Sequence, residues 1–390
     1  MTLAVATHDP GAVAETYVRQ HMRLVSPGET VGIALGGEPP APLGLPFFFV
    51  APPTGRLASK LRALESLFRT GYSAAAPRSQ ELALVDFLRA HRVEAVLAEF
   101  GTTGCALRRV CRLAGAPLFV NFHGHDATVL GRKARIRFAY RLLARDAAGF
   151  FCGSEFFRRK LVALGLPAER IHVAPCGVEL EAFAPSPERD PSLVLAVGRM
   201  TPKKRPDLAI RAFAGARGAA PALRLEMIGD GPLRGDCEAL VRALGIADVV
   251  TLHGARDHGF VKAALARAGL FLQHSMTAPN GDQESQGVSL LEAMAASLPV
   301  VATAHNGFAE VVNHEATGLL SPEGDVAAMS RNLARLAADR ALAAEYGLRG
   351  RRKVERRFGA EAAARVLRER MRLAAPRRAP PPAPAAALDA

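Results

Sequence analysis

Short apolar runs alternate with helix-patterned segments along most of this sequence, and the alternation starts twice. LAVAT (3–7), VGIAL (31–35), FFFVA (47–51), VEAVLAEF (93–100), PLFVNF (117–122) and AGFFCG (148–153) are of strand length. Between most of them lie segments such as SQELALVDFLRAHR (79–92), whose leucines and valine fall at helical spacing. A parallel strand needs a long crossover to its neighbour, so this alternation implies a parallel sheet covered on both faces by helices. A Pro-rich polar stretch, AFAPSPERDPS (182–192), interrupts the pattern and reads as a linker. LVLAVG (193–198), LRLEMIG (223–229), VVTLHG (249–254), LFLQHS (270–275), PVVAT (299–303) and TGLLS (317–321) then repeat it.

The expected fold class is α/β, with two doubly wound Rossmann-like domains facing across a cleft. The N-terminal unit is expected at 1–185 and the C-terminal unit at 192–358. An Arg-rich helix at about 359–374 should pack back across the domains, and the low-complexity tail 375–390 should be disordered. A chain of 390 residues exceeds what one core usually supports, and 49% hydrophobic residues supply two. In such sheets ligands bind at the carboxyl ends of the strands, so the strand-to-loop transitions are where function is sought.

Lys and Arg outnumber Asp and Glu by 50 to 37, a net charge of +13 that attracts anions: nucleic acid, acidic lipid or phosphorylated substrates. Five cysteines without metal-finger spacing point to free thiols in a reducing compartment. The opening lacks a secretory pattern and no run has the ~18 apolar residues of a membrane span, so a cytosolic protein is expected.

Three stretches carry candidate chemistry. In VGRMTPKKR (197–205), a strand ends at Gly198 and Arg199 and Lys204 can converge on one polyanion. In GDQESQGVSLLEAMA (281–295), Gly287 and Val288 stand at the amino end of a helix, where unpaired amides can hold phosphate oxygens. Glu284 precedes that helix and Glu292 lies inside it, each able to accept from sugar hydroxyls. Gly229 and Gly231 in IGDGP and Gly254 in LHGAR follow strands and allow close backbone approach. In VNFHGHDAT (120–128), His123 and Asp126 follow a strand, and Glu99 ends a neighbouring one. No third metal ligand at a recognisable spacing accompanies the histidines, so no metal site is assigned.

Taken together, ESQGVSLLEAMAASLPVVAT (284–303), GRMTPKK, IGDGP, FHGHD and NGFAEVVNHEATGLL (306–320) resemble the family 4 retaining glycosyltransferases of GT-B fold, in particular the subgroup that builds bacterial exopolysaccharide such as colanic acid. The similarity runs from about residue 90 to 375. It implies that Arg199 and Lys204 hold the donor diphosphate, Glu292 the ribose, Glu284 the donor sugar, and that His123 stands near the reacting centre. It places Glu99 and Asp126 on the acceptor side. Gln286 replaces an aromatic found in many members, Arg205 a glycine, and the opening (8–21) lacks their Gly-Gly loop and carries Glu15, Thr16 and Tyr17.

The function so implied is metal-independent transfer of a sugar, with retained configuration, from a UDP- or GDP-linked donor to a hydroxyl of a glycan or polyprenyl-diphosphate-linked acceptor, without a further cofactor. A cationic N-terminal face, with Arg132, Lys133, Arg135, Arg137, Arg62 and Arg69, would suit peripheral contact with an anionic membrane. The alternatives are a nucleotide-sugar epimerase or phosphorylase of similar architecture, and a basic nucleic-acid-binding protein. No nucleic-acid-reading motif supports the last, and no nucleic-acid partner is expected.

Overall fold

The computed structural model describes residues 2–9, 16–36, 44–51 and 56–373, leaving out the side chains of residues 16, 56–58 and 69. The tail 375–390, Glu15 and the side chains of Thr16 and Arg69 lie outside the described residues.

The first sheet contains β1 (Thr2–Thr7), β2 (Thr30–Ala34), β3 (Phe47–Phe49), β4 (Val93–Glu99), β5 (Leu118–Phe122), β6 (Gly149–Cys152) and β7 (Ile171–Val173). Its order is β3-β2-β1-β4-β5-β6-β7 and its ladders are parallel. The second sheet contains β8 (Asp190–Val197), β9 (Arg224–Ile228), β10 (Val250–Leu252), β11 (Ala268–Gln273), β12 (Val300–Thr303) and β13 (Leu319–Ser321). Its order is β10-β9-β8-β11-β12-β13, again parallel throughout.

Helices cover both sheets. The first lobe uses α1 (Thr16–Leu24), α2 (Arg56–Thr70), α3 (Arg78–Ala90), α4 (Gly101–Ala114), α5 (His125–Thr128), α6 (Ala134–Asp146) and α7 (Glu155–Ala163). The second uses α8 (Pro206–Ala216), α9 (Arg234–Ala243), α10 (His258–Arg267), α11 (Val288–Ala295), α12 (Phe308–Val311), α13 (Val326–Ala338) and α14 (Arg340–Arg357), and α15 (Ala360–Met371) follows. From α15, Ala364, Leu367 and Met371 enter the core beneath β1 and β4 with Leu3, Val5 and Leu97, so the end of the described chain is built into the first lobe. The stretch read as a linker is shorter than its composition suggests: β8 already starts at Asp190, whose carboxylate accepts from Ser192 N at 2.9 Å.

Each sheet reverses its strand order once, between β1 and β4 and between β8 and β11. At those points consecutive crossovers leave on opposite faces and the loops part, opening a crevice at the carboxyl ends. The loops of the two lobes meet along the carboxyl ends, those after β6 and β7 facing the one after β11. Ser154 Oγ lies 3.5 Å from Ser285 O, and Cys176 N donates to Gln286 Oε1 at 2.7 Å. Glu310, from α12, accepts from the first two amides of α7, Glu155 N and Phe156 N, at 3.0 Å each.

Candidate functional site

At the switch point of the second lobe, β8 ends in Val197 and the chain turns through Gly198 into the loop that carries Arg199, Lys203 and Lys204. Gly229, after β9, must lie against this turn. It adopts φ 139°, and a Cβ there would stand 2.0 Å from Gly198 O, so only glycine fits. Its amide donates to Gly254 O at 2.9 Å, locking the ends of β9 and β10 together. Gly231 is as tightly placed, a Cβ there lying 2.5 Å from Met200 O, and neither it nor Gly254 lines the cavity of this site.

The neighbouring loop, from β11 to α11, delivers Glu284. Its Oε2 is 3.1 Å from Lys204 Nζ and its Oε1 is 3.2 Å from Lys203 Nζ. Burial would raise the pKa of this carboxyl, but Lys204 and Lys203 outweigh it and bring the value down to about 2. The backbone is fixed as firmly as the side chain: Glu284 N donates to His305 Nε2 at 3.2 Å, and His305 Nδ1 faces Glu323 Oε1. Asn306 Nδ2 donates to Glu284 O.

Gly287 caps α11 at φ 78°, and Val288 is the first helical residue. Arg199, Gly229, Val288 and Glu292 line one cavity of about 420 Å³ together with Asp230, Arg256 and His258. Arg199 also lines, with Lys204, a narrow hollow against β8 and β11, so Arg199 is shared by the two hollows, Glu292 lines the larger one, and Glu284 joins the site through its ion pair with Lys204. Arg199 is exposed and has no carboxylate partner among the described residues. Glu292 is buried, at 8% exposure, and burial pushes its pKa up to about 7, with Lys262 opposing only in part. No protein group among the described residues hydrogen-bonds its carboxyl, which leaves it for a ligand's donors.

At the switch point of the first lobe, Glu99 ends β4 in full burial. It accepts from three side chains: His21 Nδ1 at 2.6 Å, His123 Nε2 at 2.6 Å and Asn121 Nδ2 at 3.1 Å. Burial would raise its pKa, but His21 and His123 lower it to about 2. For His123 burial opposes protonation, yet contact with Cys176 and Glu99 raises the pKa to about 10. The imidazole lies against Tyr17, ring centroids 4.2 Å apart and tilted by 30°, and meets the edge of Phe100 at 4.8 Å.

Two expectations need correcting here. Glu99 was placed on the acceptor side, but at 0% exposure its oxygens serve His21, His123 and Asn121, and it reaches a ligand only through His123. Asp126 was placed there too, but is 2% exposed. Its Oδ1 accepts from the amides of His123, Gly124 and Ala127, and its Oδ2 from Gly101 N. A buried carboxylate needs partners, and a loop of unpaired amides supplies them, so Asp126 shapes the turn. His123 alone of the three stands at the rim, 9% exposed, and its neighbour Gly124 abuts Gln283 of the other lobe.

Comparison with known proteins decides the family. Residues 11–177 match the glycosyl transferase 4-like domain, and residues 179–353 match the glycosyl transferases group 1. The amylovoran biosynthesis glycosyltransferase AmsK of Erwinia amylovora is 33% identical over 279 residues, covering 70% of this chain and 68% of that protein. The Escherichia coli protein assigned as the colanic acid biosynthesis glycosyltransferase WcaL is 31% identical over 282 residues, covering 71% and 70%. The chain belongs to the family 4-type glycosyltransferases. Anabaena HepE, crystallised with UDP, superposes with a TM-score of 0.74 at 18% identity, over 95% of this glycosyltransferase and 99% of HepE. The fold is GT-B.

Sequence reading missed several residues of this glycosyltransferase's site. Lys203 is one, though the Lys-Lys pair in GRMTPKK was its signal. His21, His305 and Cys176 lie far along the chain from their partners, and nothing local marks them. Gln286, noted for replacing an aromatic, ties α11's entry to Cys176. Arg205, noted for replacing glycine, keeps a glycine-like backbone at φ 42° and pairs with Asp207 at 2.7 Å. Among the described residues no group of three or more His, Cys, Asp or Glu could hold a metal ion, and no helix is long and apolar enough to cross a membrane.

Proposed function

We propose that this glycosyltransferase moves a sugar, with retained configuration, from a UDP- or GDP-linked donor to a hydroxyl of a glycan or polyprenyl-diphosphate-linked acceptor in surface-polysaccharide assembly, at the cytoplasmic face of the membrane. The observation that carries the reading is the Lys203–Glu284–Lys204 cluster beside Arg199 and the amino end of α11. The charge that develops on a leaving diphosphate would meet fixed ammonium, guanidinium and helix amides in one crevice. HepE, crystallised with UDP and with UDP-glucose, and AmsK, named for amylovoran biosynthesis, support the donor and product classes.

In the proposed step the acceptor oxygen bonds to the anomeric carbon on the face the diphosphate leaves. The carbon–oxygen bond to phosphate breaks, its electron pair goes to the diphosphate, and a phosphate oxygen takes the acceptor proton. His123, protonated through the neutral range, donates a hydrogen bond to the donor sugar and is not the base. Glu284 orients the sugar ring and Glu292 the ribose. Arg199 and Lys204 hold the diphosphate, and no metal is required because these cations do that work.

The test is a turnover screen of nucleotide sugars with and without EDTA, followed by the anomeric configuration of the product. Inversion, or turnover abolished by EDTA and restored by a divalent ion, rejects the corresponding part.

A further inference from the structure

Helix α2 is turned inside out. Its buried positions are small and polar: Ser66 and Thr70 are at most 3% exposed, with Ser66 Oγ donating to Ala75 O at 3.2 Å and Thr70 Oγ1 to Ser66 O at 2.7 Å. Ser59, Arg62 and Ala63 look into a cavity of about 410 Å³ beside His8 and Thr102. Arg62, expected on the outer face, is half-buried there and donates to Ala51 O. The large apolar side chains point the other way. Leu61 is 60% exposed, Leu64 53%, Leu67 44% and Phe68 83%. At about 100° per residue these four fall on one side of the helix, with the exposed Lys60 between Leu67 and Leu64. Packing within the lobe would have put them inside, so this face is built to be covered by something else.

The face continues onto α6. Gly71, directly after α2, touches that helix: a Cβ there would lie 2.4 Å from Leu142 Cδ1 and 3.6 Å from Phe138 Cε1. Phe138 is itself 52% exposed. On both sides of it α6 exposes Arg135, Arg137, Arg141 and Arg145.

We propose that this α2–α6 face docks the protein on an anionic phospholipid surface, with Leu64 and Phe68 entering the interface and the α6 arginines meeting headgroup phosphates. An apolar stripe bordered by cations is complementary to that surface. The competing occupant is a second copy of the chain. In a two-fold interface the same patch would meet itself, bringing arginines against arginines. The proposal deepens the lipid-linked acceptor reading and rests on it. The inner side of α2 lines a hollow at the carboxyl ends of β1 and β2, so a lipid-borne acceptor would have one helix to pass.

The test is co-sedimentation of the full chain with phosphatidylcholine vesicles, with and without one-third phosphatidylglycerol. The expected result is at least tenfold stronger partitioning onto the anionic vesicles. Leu64→Glu combined with Phe68→Glu should lose tenfold or more, and Arg135→Ala and Arg141→Ala about fivefold each. All these side chains are exposed, so thermal stabilisation by UDP or GDP should stay at the wild-type level. Undiminished vesicle binding by the Leu64→Glu/Phe68→Glu protein overturns the proposal, as does a wild-type dimer that Phe68→Glu dissolves. Vesicle binding that persists when no nucleotide stabilises the wild type supports docking and refutes the donor reading instead.

Discussion

Lys204 Nζ and Glu284 Oε2 stand 3.1 Å apart, joined from two loops that leave β8 and β11 on either side of a strand-order reversal. The pair is mostly buried, and Lys203 completes it from the other carboxylate oxygen. Asp282 also faces Lys203, at 3.4 Å, so two ammonium groups are matched by two carboxylates, and it is Arg199, without a carboxylate partner among the described residues, that leaves the crevice with positive charge for an incoming anion.

Glu284→Gln and Lys204→Ala should each lower kcat by about a hundredfold to a thousandfold, the range seen when one group facing transition-state charge is lost. Lys204→Ala should also raise the nucleotide Kd, whereas Glu284→Gln should leave it unchanged or lower it. Steady-state kinetics and calorimetry separate the two. Wild-type turnover in either folded variant rejects the assignment.

Glu292 should make nucleotide binding depend on pH. Its folded pKa of about 7 lies above its unfolded value, so its stability contribution is full below the unfolded value and lost as pH rises through about 7. In the proposed role, ribose hydroxyls would donate to the carboxylate and favour its ionised form. Affinity for UDP or GDP should therefore rise between pH 6 and 8 with release of a proton, and Glu292→Gln should flatten the profile. Calorimetry in buffers of different ionisation enthalpy reads the proton directly.

Replacing the Glu99 carboxylate by an amide removes its charge and leaves one acceptor oxygen where His21 and His123 now have two. Glu99→Gln should cost about 3 kcal/mol or more of stability at neutral pH. The sign follows from both partners. The contribution of Glu99 is present above its unfolded value and is lost as pH falls toward about 2, while that of His123 is lost as pH rises through about 10. The gap in Tm between wild type and variant should be widest from mildly acidic to neutral pH and shrink at both extremes. A gap independent of pH would refute the charge pairing.

Gly287→Ala tests the entry to α11. The residue has φ 78°, and an added Cβ would lie 2.5 Å from Phe308 Cε1. The expected cost is about 1–3 kcal/mol, with weakened nucleotide binding because the first amides of the helix turn away. Thermal denaturation with and without nucleotide checks both effects.

The parallel sheets were legible because their strands, buried on both faces, are written as unbroken apolar runs. Ile171–Val173 escaped because three residues with a histidine among them leave no such run. The basic loop and the two glutamates were legible from type and spacing, whereas their pairing was not: Glu284 meets Lys203 and Lys204 only through the register of β8 against β11. Glu99 and Asp126 were recognised as strand-end acids, but a sequence does not say whether such an acid faces solvent or its own loop. Burial decides that, and here it turned both inward. The inverted polarity of α2 was equally hidden, since RLASKLRALESLFRT has the periodicity of any amphipathic helix and does not say which side the lobe will take.

Glu310 belongs to the second lobe, yet both its carboxylate oxygens are committed to the first amides of α7 in the first. Any hinge that widened the cleft would have to uncap that helix and leave a carboxylate without its donors. The joint therefore has a built-in catch, and the lobes part only by giving up those two bonds.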